Sequence, residues 1–313
     1  MPIKKNDPIL NPAGDHLVVA TARDGRIRGV AVRSTQTVEK LRQVHDLSPA
    51  VTHALGRFAI GAQLMAASLK NPTDLMSMTL RCDGPLGGMT MVSGSDSYVR
   101  GYALRPQADS VVATAAESAM ATSSQNAGHT SLKALVGDGT LTVVKDMGLK
   151  EPYSGTVQIY SGEITADLAY YLGLSEQVPS VMASGIKLDE TGLVLAGGLL
   201  IQLMPGATED DIDFIERRAA GLPDVSFLLE EGFTPAQLLD LFWGDPALVY
   251  LESRPIGFRC NCSRDRMQRN LLTLPASDLK ELAADTSGID LHCHFCNRHY
   301  HFTQPEMLEL LPR

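Results

Sequence analysis

Cys260-Asn261-Cys262 and, beyond thirty intervening residues, Cys293-His294-Phe295-Cys296 decide how the end of this chain folds. A Zn²⁺ ion takes four soft ligands in a tetrahedron, and two chelating pairs of thiols from two segments supply them. The second pair has the C-x-x-C spacing of a zinc knuckle, and the first does not. In an extended C-x-C the thiols at i and i+2 point to one face. They can grip one metal, and they can also bond to each other if it leaves, so the site reads as a switch as readily as a staple. The metal reading makes Cys260, Cys262, Cys293 and Cys296 the ligands of one Zn²⁺ per chain.

The surrounding residues, 255–313, form a small zinc-binding domain. Ser263 is placed to cap a helix running to Leu272, and a short helix follows Pro275 with Leu279 and Leu282 inward. Ile289 to Cys293 and Tyr300 to Phe302 read as the strands of a hairpin whose tip is the knuckle. Thr303-Gln304-Pro305-Glu306 is a capping box that opens a last helix bearing Met307, Leu310 and Leu311. So short a segment buries little core, so its fold is expected to depend on the metal. Four of the eight histidines fall here, at 292, 294, 299 and 301. One of them could replace a cysteine as ligand, but four thiols already fill the tetrahedron. The histidines, with Arg259, Arg264 and Arg298, are therefore expected to offset the anionic centre or to sit at the surface.

Upstream, residues 206–254 carry 11 acids and 3 bases, so nearly all of the chain's net charge of −9 lies in this linker. Thr208 caps a helix that begins Glu209-Asp210-Asp211, with Ile212, Ile215 and Ala219 as its apolar stripe and Gly221-Leu222-Pro223 as its stop. Thr234, Pro235 and Gln237 form a second helix start, with Phe233 and Leu238 as a hydrophobic staple. Leu238, Leu241, Phe242 and Trp243, the single tryptophan, make its apolar face. Such helices are either an ordinary solvated connection or a conditional segment. Helices this short need a surface to pack on, and their charge keeps them soluble without it.

Residues 1–205 read as an α+β core of antiparallel sheets around a buried helix. Leu17–Ala22 and Ile27–Val32 flank the hairpin signal Asp24-Gly25. Thr37 is taken as the cap of a helix to Leu47. Ser48-Pro49 opens a long helix, apolar on most faces through Leu55, Phe58, Ile60, Leu64, Met65 and Leu69. Strands follow at 77–82, 89–93, 98–104, 141–146, 156–160, 181–188 and 193–204, with a helix at 165–172. Gly84-Pro85-Leu86-Gly87-Gly88 lacks the lysine and helix of a phosphate loop and reads as a turn. The stretch 106–135 is ambiguous. Cys82 reads as a small buried hydrophobe, and His129 has no nucleophile partner.

The chain has 313 residues and 44% apolar content, enough for one large domain and a small one. It shows no apolar membrane run and no signal region in Met1-Pro2-Ile3-Lys4-Lys5, so a cytoplasmic address is expected, where clustered cysteines mean metal or redox chemistry. The acidic balance argues against nucleic acid as a partner. No hydrolase elbow, zinc-protease or P-loop pattern is present, so no enzymatic activity is expected.

Structural zinc contributes about 10–16 kcal/mol in small zinc peptides, comparable to the whole net stability of a domain, about 5–15 kcal/mol. Loss of the ion is expected to unfold the last domain, and oxidation of the ligand thiolates causes that loss. Cys260–Cys262 and Cys293–Cys296 are the nearest disulfide pairings, and neither links distant parts of the chain. The adjacent linker loses its support, exposing the apolar surface of Phe233, Leu238, Leu241, Phe242 and Trp243 to unfolded proteins or a second copy.

The motif Cys260-Asn261-Cys262-Ser263-Arg264-Asp265-Arg266 followed by Cys293-His294-Phe295-Cys296-Asn297-Arg298-His299-Tyr300 resembles the zinc-centre signature of the redox-regulated heat-shock chaperones of about 33 kDa. Gly197 to Gly206, G-G-L-L-I-Q-L-M-P-G, and Ser175 to Ser180, S-E-Q-V-P-S, extend the resemblance over the whole chain. It implies an ATP-independent holdase, silent when reduced and zinc-bound. Disulfide formation with zinc release and linker unfolding would switch it on, usually with homodimer formation, to hold unfolded client proteins. Three rivals remain: a zinc-ribbon nucleic-acid module, which calls for a basic face; a thiol oxidoreductase, which calls for C-x-x-C at a helix start in a βαβ setting; and a purely structural zinc site.

Overall fold

The computed structural model describes residues 2–5, 7–108, 132–190, 192–244 and 248–311. His129 and most of the ambiguous 106–135 stretch lie outside them. The chain forms two compact units, Met1–Phe258 and Arg259–Arg313.

In the first unit the strands are β1 (His16–Ala22), β2 (Ile27–Arg33), β3 (Leu75–Cys82), β4 (Gly88–Gly94), β5 (Tyr98–Ala103), β6 (Gly139–Asp146), β7 (Tyr153–Gln158), β8 (Ser180–Asp189), β9 (Gly192–Leu203), β10 (Val249–Pro255) and β11 (Gly257–Phe258). The helices are α1 (Thr35–His45), α2 (Pro49–Ala66), α3 (Lys133–Val136), α4 (Ile164–Leu174), α5 (Glu209–Ala220), α6 (Val225–Glu230) and α7 (Pro235–Trp243). One sheet runs β10-β1-β2-β9-β8 and the other β11-β5-β4-β3-β6-β7. All named neighbours are antiparallel except β11, which pairs parallel with β5. The α+β core with a buried helix is thus observed. The 84–88 glycines form the β3–β4 turn.

Helix α2 is the spine. Ser48 Oγ accepts from the Val51 N–H, Pro49 stands at N1, and nearly every residue to Ala66 is buried. Its apolar faces meet the inner faces of both sheets in one large cluster. Two of its buried polar side chains have partners across the core: Ser34 Oγ donates to Gln63 Oε1 at 2.6 Å, and Arg57 pairs with Glu163 at 3.6 Å. Thr37 is not the cap of α1. Ser34 holds the N-cap position, and Asp15, from just before β1, accepts from the N–H groups of Gln36 and Thr37 and from Thr37 Oγ1. A carboxylate brought in by tertiary packing does the capping that a local side chain was expected to do.

The two sheets are buried differently, and the sequence shows why. β5 and β3 alternate buried and half-exposed, as one-sided sheets do. β1 is buried along almost its whole length. Its second face lies under the linker helices, in a separate apolar cluster of Val18, Ala20, Ile27, Ala31, Leu199 and Ile201 against Ile215, Leu228, Leu238, Leu239, Phe242 and Trp243. α5 carries a capping box of Thr208 and Asp211, and α7 one of Thr234 and Gln237. Arg218 donates to the carbonyls of Leu241 and Phe242, closing the C-terminal end of α7. Helix α6 and strand β10 belong to the same acidic stretch and were not announced by its pattern.

Two glycines show how closely this cover sits. A Cβ at Gly29 would meet the Trp243 ring at 2.6 Å, and one at Gly185 would meet the Ser226 backbone nitrogen at 2.1 Å. Asp211 pins α5: it accepts from Arg23 Nη1 at 2.9 Å and Arg26 Nε at 2.8 Å while its own side chain is fully buried. Burial alone would raise this carboxyl, but the Thr208 N–H and the two guanidinium groups outweigh it and hold it well below the usual carboxylate range. A depressed carboxyl stabilises the docked helix above its unfolded pKa, and the contribution fades as pH falls through the folded value. Asp211→Asn should cost about 1–2 kcal/mol, the arginines being partly in solvent. Limited proteolysis between α5 and α7 at pH 7 should be faster in the variant. The difference from the unaltered chain should shrink below about pH 4.

Candidate metal centre

The second unit consists of α8 (Arg264–Leu271), α9 (Ala276–Ala284), β12 (Ile289–His292), β13 (His299–Phe302) and α10 (Gln304–Glu309). Its core is small: Leu271, Leu279, Ala283, Phe302 and Met307 are buried, with Met267, Leu282, Ile289, Leu291 and Tyr300 packed around them. Ser263 Oγ caps α8 by accepting from the Arg266 N–H, and Thr303 with Glu306 forms the capping box of α10. Arg264 ties these parts together. It lies 4.3 Å above the Phe302 ring, donates to the His301 carbonyl at 2.6 Å and pairs with Glu306 at 2.6 Å.

β12 and β13 form the hairpin, and the knuckle is its tip. Cys293 N–H donates to the Arg298 carbonyl, and the N–H groups of Cys296 and Asn297 donate to the Cys293 carbonyl. Asn297 takes the left-handed conformation, φ 52°, that lets the chain turn back under the second thiol. The segment before α8 brings Cys260 and Cys262 alongside.

The four sulfurs all lie within 4.8 Å of one another, with Cys260 and Cys293 at 3.7 Å and Cys262 and Cys296 at 3.3 Å. Sulfurs about 2.3 Å from a tetrahedral Zn²⁺ stand about 3.8 Å apart. Distances, donor type and number therefore fit one such ion. Backbone N–H groups of Cys262 and Arg298 point at the sulfurs of Cys260 and Cys296, as groups facing thiolate charge do.

The four thiols are not equivalent. Burial raises Cys260 and Cys296. Burial also works against ionisation of Cys262, but hydrogen bonds from Tyr300 and from the neighbouring thiols outweigh it and bring Cys262 down to about 7. Tyr300 Oη donates to Cys262 Sγ at 3.1 Å, and Arg298 stands beside it. Tyr300 is the residue that sequence reasoning missed. Its signal was the register: it pairs across from Leu291, so it shares the inward face of the hairpin that leads to Cys293.

The other expected residues are placed as follows. His292, His294, His299 and His301 are exposed and outside the sulfur cluster. In the first unit, Leu238, Phe242 and Trp243 are buried under α5–α7, and Phe233 and Leu241 pack half-buried beside them. Cys82 ends β3 half-buried against the main core, and burial with the nearby Asp83 raises its thiol. No helix among the described residues is long and apolar enough to cross a membrane.

Fold and centre together define a class: an α+β body built on two sheets and a buried helix, with a separate C-terminal unit organised on four thiols that could hold a metal ion. The sequence profile described as Hsp33 protein matches residues 15–303. The 33 kDa chaperonin of Ruminiclostridium cellulolyticum is 40% identical over 94% of this chain and 97% of that protein. That of Acetivibrio thermocellus is 38% identical over 95% and 97%. The crystal structure of the 33 kDa chaperonin (heat shock protein 33 homolog) of Thermotoga maritima superposes with a TM-score of 0.82 at 30% identity, over 94% of this chain and 97% of that one. The chain belongs to the Hsp33 family of chaperones.

Removing the Tyr300 hydroxyl takes a donor from a thiolate without touching a ligand. Tyr300→Phe should weaken Zn²⁺ retention roughly threefold to tenfold in competition with a chromophoric chelator. Its fold before chelation, read by circular dichroism, should be unchanged.

Proposed function

We propose that this chain is a redox-regulated, ATP-independent holdase of the cytoplasm that binds unfolding proteins under oxidative stress. The observation that carries the reading is the convergence of four thiols in a unit whose own apolar core is five buried side chains. A Zn²⁺ on Cys260, Cys262, Cys293 and Cys296 supplies the cross-links that so small a core lacks.

Two thiolates of a pair give two electrons to peroxide and join as a disulfide, and the peroxide takes two protons and leaves as water. In a tetrahedron all pairs are nearly equidistant, so the distances between sulfurs do not choose the partners. Chain connectivity favours Cys260–Cys262 and Cys293–Cys296, which leave the two segments free to part. Cys260–Cys293 or Cys262–Cys296 would pin them together.

The consequence is carried along the chain. Residues 249–258 end both sheets, β10 beside β1 and β11 beside β5, and Cys260 follows two residues later. Once the C-terminal unit is unfolded, this segment is tethered to a flexible chain, and fraying of β10 loosens the α7 cover next to it. The outer face of the five-stranded sheet, together with Phe233, Leu238, Leu241, Phe242 and Trp243, then becomes the apolar surface for unfolded clients or for a second copy in a homodimer. An acidic, half-apolar linker remains soluble when undocked.

The test compares reduced and oxidised chain in suppressing aggregation of a heat-unfolded protein without ATP. Only the oxidised chain should suppress it, with one Zn²⁺ and four thiols lost, disulfides mapped to Cys260–Cys262 and Cys293–Cys296, and red-shifted Trp243 fluorescence. Equal activity in both states, or cross-pair disulfides with an unshifted tryptophan, would overturn the reading. Gly185→Ala, which forces α6 off the sheet without touching a cysteine, should raise the activity of the reduced chain several-fold.

A further inference from the structure

We propose that the outer face of the C-terminal hairpin is a second metal site, for a borderline divalent cation such as Zn²⁺, built by His292, His299 and His294. Four histidines fall in this unit, and the thiol centre uses none of them. β12 and β13 pair in the register His292↔His299 and Asp290↔His301. Side chains alternate across a strand, so Asp290, His292, His299 and His301 share one face, opposite Leu291 and Tyr300. All four are exposed, while Leu291 and Tyr300 pack on the core.

The His292 and His294 rings stand at the spacing a shared ion needs, and His299 lies farther from His292. The His292 and His294 ring centres are 5.0 Å apart at 65°, and those of His292 and His299 are 6.1 Å apart at 35°. A metal about 2.0–2.1 Å from an imidazole nitrogen lies about 3.2 Å from the ring centre, so two rings sharing it tetrahedrally have centres about 5 Å apart. Directly opposed strand residues hold their Cβ atoms at a separation that rotation of two imidazoles closes onto one ion. Exposed rings turn without displacing packed neighbours. Beside them, His301 Nδ1 bonds to Asp290 Oδ1 at 3.0 Å. That carboxylate adds negative charge to the face and directs the other nitrogen of His301 outward.

Neutral imidazole suits Zn²⁺, Ni²⁺ and Cu²⁺. With three nitrogens and water completing the shell, the site is open and exchangeable, unlike the closed thiolate centre. It lies on the same hairpin as Cys293 and Cys296, so its imidazoles are held near one another only while that hairpin is folded.

The experiment is calorimetric titration of Zn²⁺ into the reduced full chain already loaded with one equivalent. One further equivalent should bind, at least about 100-fold more weakly than the first. His292→Gln/His299→Gln should weaken it more than tenfold, with the first equivalent and the count of protected thiols unchanged. In the unaltered chain, the imidazole ¹⁵N resonances of His292 and His299 should move with the second equivalent. Absence of a second equivalent, its persistence in the double variant, or unmoved His292 and His299 resonances would each overturn the site. Loss of the first equivalent would instead refute the thiol centre.

Discussion

Everything in the larger unit depends on one covered face. The outer side of the five-stranded sheet is apolar along β1, β2 and β9 and is covered by α5, α6 and α7, of 12, 6 and 9 residues. Helices of that length are marginal in water and exist because the sheet accepts their apolar stripes. The sheet in turn would expose a broad apolar surface without them. Each side is the other's reason to be ordered, and small residues at the contact, Gly29 under Trp243 and Gly185 under Ser226, let the two approach until backbone meets backbone. Such an interface is close-packed when docked and has little to hold it halfway.

The pins that secure the cover are polar. Asp211 is buried between Arg23 and Arg26, and Arg218 closes the end of α7 on the carbonyls of Leu241 and Phe242. These contacts fix where the helices lie, because a buried carboxylate without its guanidinium partners is costly. The acidic excess of the linker lies outside this network and leaves the segment compatible with water in either state. The smaller unit repeats the theme with different chemistry: five buried apolar side chains, two capped helices and a hairpin of two four-residue strands gather around sulfurs that converge on one point.

The elements with local causes were legible in residue order. Ser48-Pro49, Thr208, Thr234-Pro235-Gln237, Ser263 and Thr303 to Glu306 start helices as their side chains demand. The four thiols could be named as one group because C-x-C and C-x-x-C chelate locally. What was misread had a distant cause. Thr37 was taken as a cap because Asp15 and the first turn of α1 are brought together only by the packed sheet. β10 escaped notice because an edge strand beside β1 is defined by its partner more than by its own alternation. Tyr300 stands in the quoted cysteine motif without announcing a role there; its hydroxyl reaches Cys262 only across the assembled hairpin.

Residue order alone marked out three stretches by composition: an apolar α+β one, an acidic amphipathic one, and a short tail with four clustered cysteines. Helix caps, hairpin turns and chelating spacings act over a few residues, so they survive being read one segment at a time. Tertiary structure alone decided which face the amphipathic stretch covers, that residues 249–258 end both sheets, and that a tyrosine tunes one sulfur while histidines line the opposite face. Those outcomes depend on contacts between residues far apart in the chain, whose geometry exists only once the intervening loops have closed.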